Sequence, residues 1–242
     1  VKVIWFFRSI GVNLSEIYGM SESTGPITWD PYEVRVGTVG RALPGVSVKL
    51  ADDGEVCFKG GNAFRGYLKD PERTAEIVDA DGWIHTGDIG QLDDDGYLRI
   101  IDRKKELIIT AGGKNISPAN LESVLKSHEL IGQACVVGDG RKFLTALVVL
   151  DPDVAPAWAR ARGIAFETLA DLATNDEVRA EVQRAVDATN ARFSSVEGIK
   201  RFTILPTEWL PDSEELTPTM KLKRRGILAK YAAEIEAMYA DV

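Results

Sequence analysis

The chain has 242 residues, 45% of them apolar and 27% charged, and at roughly 150 residues per domain this length corresponds to one or two domains. A net charge of −8, from 29 basic against 37 acidic residues, argues against broad, non-specific nucleic-acid binding. Two cysteines and two histidines argue against a disulfide framework and a Cys/His zinc site, and no run of 18 apolar residues offers a membrane span.

The chain opens on Val1-Lys-Val-Ile-Trp-Phe-Phe, in mid-amphipathic pattern, and its first methionine is Met20. Nothing there resembles a signal peptide. The expectation is either an unusual start codon translated literally or the absent front of a longer protein. Val1 to Ile10 reads as the end of an amphipathic helix, stopped by Gly11. Asn13 to Tyr18 reads as a short strand leading into a Gly19–Gly25 turn. Residues 44–60 read as a hairpin about Asp52-Asp53-Gly54, and Ile89–Leu92 with Tyr97–Ile101 as a second about Asp93-Asp94-Asp95-Gly96. Between them Asp70 caps a helix with Pro71 in its first turn.

The texture changes after Ile101. Asp102-Arg103-Lys104-Lys105-Glu106 is a charged cluster with little to bury, followed by an apolar strand from Leu107 to Thr110, and the domain boundary is placed here. A helix is expected over Pro118–Lys126 and an antiparallel pair over Ala134–Val137 and Phe143–Leu150. Residues 153–193 carry helical periodicity in two or three pieces, Gly198–Leu205 reads as a strand, and Leu222–Tyr239 as a final amphipathic helix. Strand pairs plus helices without regular β-α-β alternation favour an α+β layout.

Four segments can carry chemistry. In Tyr18-Gly-Met-Ser-Glu-Ser-Thr-Gly25 a strand leads through Gly19 to a hydroxyl and a carboxylate. The tyrosine face can stack on a planar ligand, Ser21 can hydrogen-bond a phosphate, and Glu22 can bind a hard cation such as Mg²⁺. In Asp81-Gly-Trp-Ile-His-Thr-Gly-Asp88 the last carboxylate follows a glycine and opens a strand, a placement that suits a diol such as ribose. In the 102–106 cluster Arg103 offers a rigid fork of donors, and the Gly112-Gly113 pair beyond it lets backbone approach a ligand closely. In Leu216-Thr-Pro-Thr-Met-Lys-Leu-Lys-Arg-Arg225 a lysine just before a helix can neutralise charge on a phosphate. Each segment has a bland alternative: a solvated loop, an ordinary turn, a charged linker, a basic helix start. Absent altogether are Gly-x-x-x-x-Gly-Lys-Ser/Thr, Gly-x-Gly-x-x-Gly and a serine elbow near His85 or His128. The acidic run 93–95 lacks EF-hand spacing and is better explained as a hairpin turn.

Taken together and in order, these segments resemble the adenylate-forming superfamily, and within it the C-terminal portion of long-chain and very-long-chain fatty acyl-CoA synthetases of the bubblegum type. The carrying stretches are Tyr-Gly-Met-Ser-Glu-Ser-Thr-Gly-Pro (18–26), Gly-Trp-Ile-His-Thr-Gly-Asp (82–88), Lys-Glu-Leu-Ile-Ile-Thr-Ala-Gly-Gly-Lys-Asn-Ile (105–116) and Leu-Thr-Pro-Thr-Met-Lys-Leu-Lys-Arg (216–224). The resemblance implies an α+β fold. Residues 1–102 would be the tail of the large AMP-binding domain, with the hairpins of its small barrel-like subdomain, and 103–242 a compact mobile domain. It implies ATP/AMP and Mg²⁺ as cofactors and coenzyme A as co-substrate. Tyr18 would pack on adenine beside Gly19, Ser21 would contact the α-phosphate, and Glu22 would hold Mg²⁺. Asp88, assisted by Arg103, would bind the ribose, and Lys105 would be the hinge. Gly112 and Gly113 would line the pantetheine passage, and Lys221 would be the catalytic lysine of adenylation.

Two departures stand out. Many members carry glycine where this chain has Met220, and long-chain members often carry a larger residue. The family's Ser/Thr/Gly-rich loop that grips the β,γ-phosphates, and most of the fatty-acid tunnel, are not in these 242 residues. The expected partners are therefore a fatty acid and a separate N-terminal half, with no nucleic acid and no integral membrane segment. A cytoplasmic location is expected, with peripheral membrane association through the lipid left open. A non-catalytic remnant or binding module, and an acyl-AMP ligase loading a carrier protein, stay open beside the ligase.

Overall fold

The computed structural model describes residues 2–240. Val1, Asp241 and Val242, which begin the first expected helix and close the second expected domain, lie outside the described residues, as does the Lys2 side chain. The chain divides into two compact units, Val1–Glu106 and Leu107–Val242.

The first unit opens on helix α1 (Lys2–Ser9), with Gly11 at φ +85° just beyond it, and of its described side chains only Ile4 is buried. The expected strand at Asn13–Tyr18 instead starts later. Strand β1 is Ile17–Met20, paired antiparallel with β2 (Gly25–Trp29) across a single 3₁₀ turn, Ser21–Ser23. Residues 13–16 stay irregular, because Asn13 and Ser15 spend their side chains on Arg8, Pro31 and Trp29.

Four strands form the main sheet in the order β3 (Val46–Leu50), β4 (Glu55–Gly60), β5 (Ile84–Leu92) and β6 (Leu98–Arg103), all antiparallel. Both hairpins of the sequence reading are there, but β5 is longer than expected. Asp88 therefore lies in mid-strand rather than opening one. Register breaks at Glu55/Cys57 and Ile89/Gly90 bend this sheet, as bulges do. Helix α2 (Pro71–Ile77) is capped by the Asp70 carboxylate, which accepts the Arg73 N–H at 3.0 Å. The acidic turn 93–95 is held by Arg35, whose guanidinium meets Asp93 at 2.9 Å and Asp95 at 2.6 Å.

The second unit begins with a two-stranded ribbon, β7 (Ile108–Ile109) and β8 (Asn115–Ile116), then helix α3 (Pro118–Leu125) capped by Ser117. Its sheet runs β11-β10-β9, from β9 (Ile131–Val137), β10 (Leu144–Leu150) and β11 (Ile199–Leu205). β9 and β10 are antiparallel, whereas β10 and β11 are parallel. A parallel pair needs a crossover, and α4 (Val154–Ala161), α5 (Leu169–Ala173) and α6 (Asp176–Asn190) supply it. One β-α-β unit thus exists inside the α+β layout.

β10 is buried along its whole length because both of its faces are covered. Leu144, Ala146, Val148 and Leu150 pack with α3 to α6, while Leu147 and Val149 pack with Trp209, Leu216 and the last two helices. Those helices correct the single helix expected over Leu222–Tyr239. The segment is broken into α7 (Arg224–Lys230) and α8 (Ala232–Tyr239) at Tyr231. At the break the Tyr231 hydroxyl is tied into the core, donating to Glu215 Oε1 at 2.8 Å and accepting from Trp209 Nε1 at 3.0 Å.

Because Leu147 is fully buried on the central strand, Leu147→Ala is expected to destabilise the fold by about 2–5 kcal/mol. Chemical denaturation checks this, and a loss under about 1 kcal/mol would contradict a sheet covered on both faces.

Candidate active site

The Tyr18–Gly25 turn is stiffer than a solvated loop. The Ser23 hydroxyl accepts the Met20 N–H at 3.0 Å and donates to the Gly25 carbonyl at 2.5 Å, and Thr24 sits in the left-handed region at φ +50°. A Cβ at Gly19 would collide with the Gly25 carbonyl, so the close approach of β1 to β2 requires glycine here. Ser21 is exposed at the tip. Glu22 is half-buried, its backbone carbonyl accepts the Phe64 N–H, and its Oε1 accepts the Tyr67 hydroxyl at 2.5 Å. Tyr67 is a residue that the sequence reading missed. It is placed by an edge contact with Phe64, by Arg73 over its ring and by its own N–H donating to Thr74.

Three residues predicted from three separate segments come together. Asp88 and Arg103 are direct cross-strand partners on β5 and β6, and Arg103 Nε donates to Asp88 Oδ1 at 2.8 Å. The Tyr18 hydroxyl, 70 residues away in sequence, donates to Asp88 Oδ2 at 2.5 Å. Burial first, and then this bond to a carboxylate, push the Tyr18 phenol above its ordinary range, so it stays a donor. Asp88 is buried while the Arg103 side chain is largely exposed. One carboxylate oxygen is oriented from each side, leaving lone pairs for a further donor.

The 102–106 cluster is no solvated linker. Asp102 is buried and Lys104 Nζ reaches Asp53 at 2.6 Å and Glu55 at 2.8 Å. Residues 103–106 are exposed at the surface, and the turn over 104–106 is closed by the Glu106 N–H on the Arg103 carbonyl.

In the second unit Gly112 and Gly113 form the exposed tip of the β7–β8 ribbon, with Gly113 at φ +74° and its N–H on the Thr110 carbonyl. A Cβ at Gly112 would meet nothing nearer than 3.9 Å, so neighbouring atoms do not impose glycine there. Lys221 lies in a tight turn of its own, where the Thr217 N–H donates to the Lys221 carbonyl at 2.8 Å and Lys221 N–H to Thr217 Oγ1 at 3.0 Å. Its side chain is exposed, and among the described residues its ammonium has no ion pair. Met220 adopts φ +62°, a left-handed conformation that favours glycine. At its root the turn is fastened by the Leu216–Leu222 bridge and the Lys223 N–H on the Glu215 carbonyl. The Glu215 carboxylate is buried, which raises its pKa. Hydrogen bonds from Lys230, Ser213 and Tyr231 outweigh this and hold it at about 2.

A hard cation has one candidate ligand here, the half-buried Glu22 carboxylate. Among the described residues no three His, Cys, Asp or Glu side chains converge on one point. That donor set fits Mg²⁺ bound largely by a nucleotide's own phosphates and water, not by a protein cage.

Comparison with known proteins gives this architecture its class. Residues 105–242, more than half of the chain, match the AMP-binding enzyme C-terminal domain, and residues 1–68 match the AMP-binding enzyme family. The chain belongs to the AMP-binding enzyme family. Among curated relatives it is 51% identical over 242 residues to a Mycobacterium tuberculosis chain provisionally named fatty-acid–CoA ligase FadD11, covering 99% of this chain and 42% of the relative. It is 44% identical to the long-chain-fatty-acid–CoA ligase FadD15 of the same species, and 36% identical to the long-chain-fatty-acid–CoA ligase ACSBG1 of Rattus norvegicus. These matches cover 97% and 98% of this chain, so it spans only about two-fifths of the length of such relatives (39% and 36%). Among solved structures, the adenylation domain of a Mycobacterium chelonae carboxylate reductase superposes with TM-score 0.78 at 26% identity, over 98% of this chain and 36% of that one. The O-succinylbenzoate coenzyme A synthetase of Bacillus subtilis, in complex with AMP, superposes with TM-score 0.68 at 26% identity, over 93% and 42%.

Two outcomes test the root and the crown of the Lys221 turn. Glu215 has a carboxyl at about 2 in the fold and near 4.5 when unfolded, so its stabilisation is complete above about pH 4.5 and drains away toward pH 2. Glu215→Gln is expected to lower stability at neutral pH and to flatten the acid limb, read from denaturation midpoints across pH 2–6. Met220→Gly is expected to stabilise by about 0.5–1 kcal/mol, the left-handed strain relieved less the larger entropy of an unfolded glycine. A loss of stability in that variant would show that Met220 packs favourably enough to offset its strain.

Proposed function

We propose that this chain supplies the carboxy-terminal part of an ATP-dependent long-chain fatty acid–CoA ligase. The supporting observation is the Tyr18–Asp88–Arg103 hydrogen-bonded group, assembled from three distant segments in a chain 44% identical to a long-chain ligase. The first unit, with Arg103 on its last strand, would hold the nucleotide, and the residues beyond the Lys105 hinge would form the mobile domain carrying Lys221.

The chemistry has two steps. A fatty carboxylate oxygen attacks the α-phosphorus of ATP, forming acyl-AMP as pyrophosphate leaves. The coenzyme A thiolate then attacks the acyl carbon, forming the thioester as AMP leaves. Asp88 accepts the ribose hydroxyl protons on the lone pairs that Tyr18 and Arg103 leave open. The ring of Tyr18 packs on adenine beside Gly19, and the exposed Ser21 hydroxyl donates to the α-phosphate. Glu22 would hold Mg²⁺, which supplies charge neutralisation at the phosphates. Lys221, its ammonium uncommitted among the described residues, places positive charge on the fatty carboxylate and α-phosphate as charge builds. The exposed Gly112-Gly113 tip lets backbone approach the pantetheine arm. No helix of the described residues is long and apolar enough to cross a membrane.

A chimera in which this chain replaces the aligned residues of FadD15 tests the reading. It should release pyrophosphate with a fatty acid and ATP and form acyl-CoA. Lys221→Ala should lower acyl-adenylate formation by about 100-fold or more while leaving thioester formation from supplied acyl-adenylate intact. Equal loss in both steps would contradict the role of Lys221. Absence of pyrophosphate release would favour a non-catalytic module, and transfer to a phosphopantetheinyl carrier instead of CoA would reassign the acceptor.

A further inference from the structure

The Asp88–Arg103 pair sits at the edge of a second, deeper network that the nucleotide chemistry does not touch. Glu55, on β4, is 6% exposed, and its two carboxylate oxygens face opposite ways. Oε1 accepts the N–H of Gly87, the residue before Asp88, at 2.8 Å. Oε2 accepts from Lys104 Nζ, the residue after Arg103, at 2.8 Å, and meets His85 Nδ1 at 3.1 Å. The two flanking residues are also joined to each other, the Lys104 N–H donating to the Gly87 carbonyl at 2.7 Å.

The geometry is that of a clamp on both ends of one cross-strand pair. Gly87 has φ +72°, a left-handed conformation inside β5 beside Asp88, and its N–H donates to the Glu55 carboxylate. Lys104 lies just past the last residue of β6, where its N–H on the Gly87 carbonyl carries the cross-strand pairing one step beyond Arg103. The carboxylate of Glu55 supplies the tether on one side and an ion pair on the other. Burial raises its pKa, but the bonds from Lys104, His85 and Gly87 more than offset this, so it remains an anion. Lys104 is held a second time by Asp53 at 2.6 Å, which makes the clamp resistant to rotation of one side chain.

We infer that Glu55 is a positioning residue for nucleotide binding: by clamping Gly87 and Lys104 it fixes the spacing of Asp88 and Arg103 that a ribose diol reads. This rests on the proposed ribose role of Asp88. Glu55 itself touches no substrate. Its effect on binding comes through preorganisation, because a diol bridging two side chains loses affinity when either wanders.

The test is AMP titration of the 242-residue chain by calorimetry, with exchange of the Arg103 Nε–H followed by NMR. Glu55→Gln keeps an acceptor for the Gly87 N–H and removes the charge that Lys104 needs. It should weaken AMP about tenfold and speed Arg103 Nε–H exchange in the free protein, a change that lost stability alone does not single out. Lys104→Met breaks only the exposed arm and should weaken AMP about threefold, which serves if Glu55→Gln fails to fold. Asp88→Ala is the control and should weaken AMP more than either. Unchanged AMP affinity in Glu55→Gln, or in Lys104→Met where the first variant is unfolded, overturns the inference when Asp88→Ala still loses binding. No AMP binding by the unaltered chain, or binding that Asp88→Ala leaves intact, overturns the ribose reading and this inference with it.

Discussion

A carboxylate removed from water must be paired, and this requirement organises both units of the chain. The cost of burying an isolated charge is far larger than the net stability of a domain, so each such group dictates where its partners stand. In the first unit Asp88 draws Tyr18 from β1 and Arg103 from β6, while Glu55 draws Lys104, His85 and the Gly87 amide. In the second, Glu122 holds Arg224 at 2.7 Å and the Val136 amide at 2.8 Å, and Glu215 holds Lys230 and Tyr231. Such pairs add little net stability over a well-packed apolar alternative, but losing one partner leaves an uncompensated charge. They specify position more than they stabilise.

Apolar packing supplies the stability that those pairs do not. β10, apolar from Leu144 to Leu150 save for Thr145, separates two cores, one under the crossover helices and one under α7 and α8. Thr145 escapes being an unsatisfied polar group because its hydroxyl donates to the Tyr239 hydroxyl at 3.2 Å. The same tyrosine reaches the Val137 and Phe143 carbonyls, and with the Arg201 guanidinium on the Met238 carbonyl it registers α8 against the sheet.

Local signals made much of this legible in the sequence. The Asp70-Pro71 cap, the Asp52-Asp53-Gly54 turn and the β9–β10 pair depend on neighbours a few residues apart, and they lie where pattern and turn chemistry placed them. What escaped depends on long-range partners. The break falls at Tyr231, whose hydroxyl meets Glu215 and Trp209, 16 and 22 residues away, and helical periodicity runs straight through it. The 102–106 run looked like a solvated linker because its charges have partners at Asp53, Glu55 and Asp88, which composition cannot pair. Tyr67 had no local mark at all; only its hydroxyl on Glu22, 45 residues upstream, sets it apart from a core aromatic. The motifs themselves were readable as groups able to bind, and the convergence of Tyr18, Asp88 and Arg103 was not, since it rests on register and not on spacing.

That difference separates two kinds of functional group in the chain. On the proposed reading, Asp88 and Arg103 hold a ligand, and holding demands that their geometry exist before the ligand arrives; hence they sit on paired strands with both carboxylate oxygens committed. Lys221 has the opposite requirement. An ammonium that is to meet charge developing on a phosphate loses that capacity if a carboxylate of its own fold already neutralises it. The chain resolves this by stiffening the backbone around Lys221 and leaving its side chain exposed. Thr217 closes the turn, Met220 takes up left-handed strain, and the acid that anchors the assembly, Glu215, sits at the root and spends its charge on Lys230. On the proposed reading, rigidity is thereby placed one step away from the reactive charge, where it orients the lysine without quenching it.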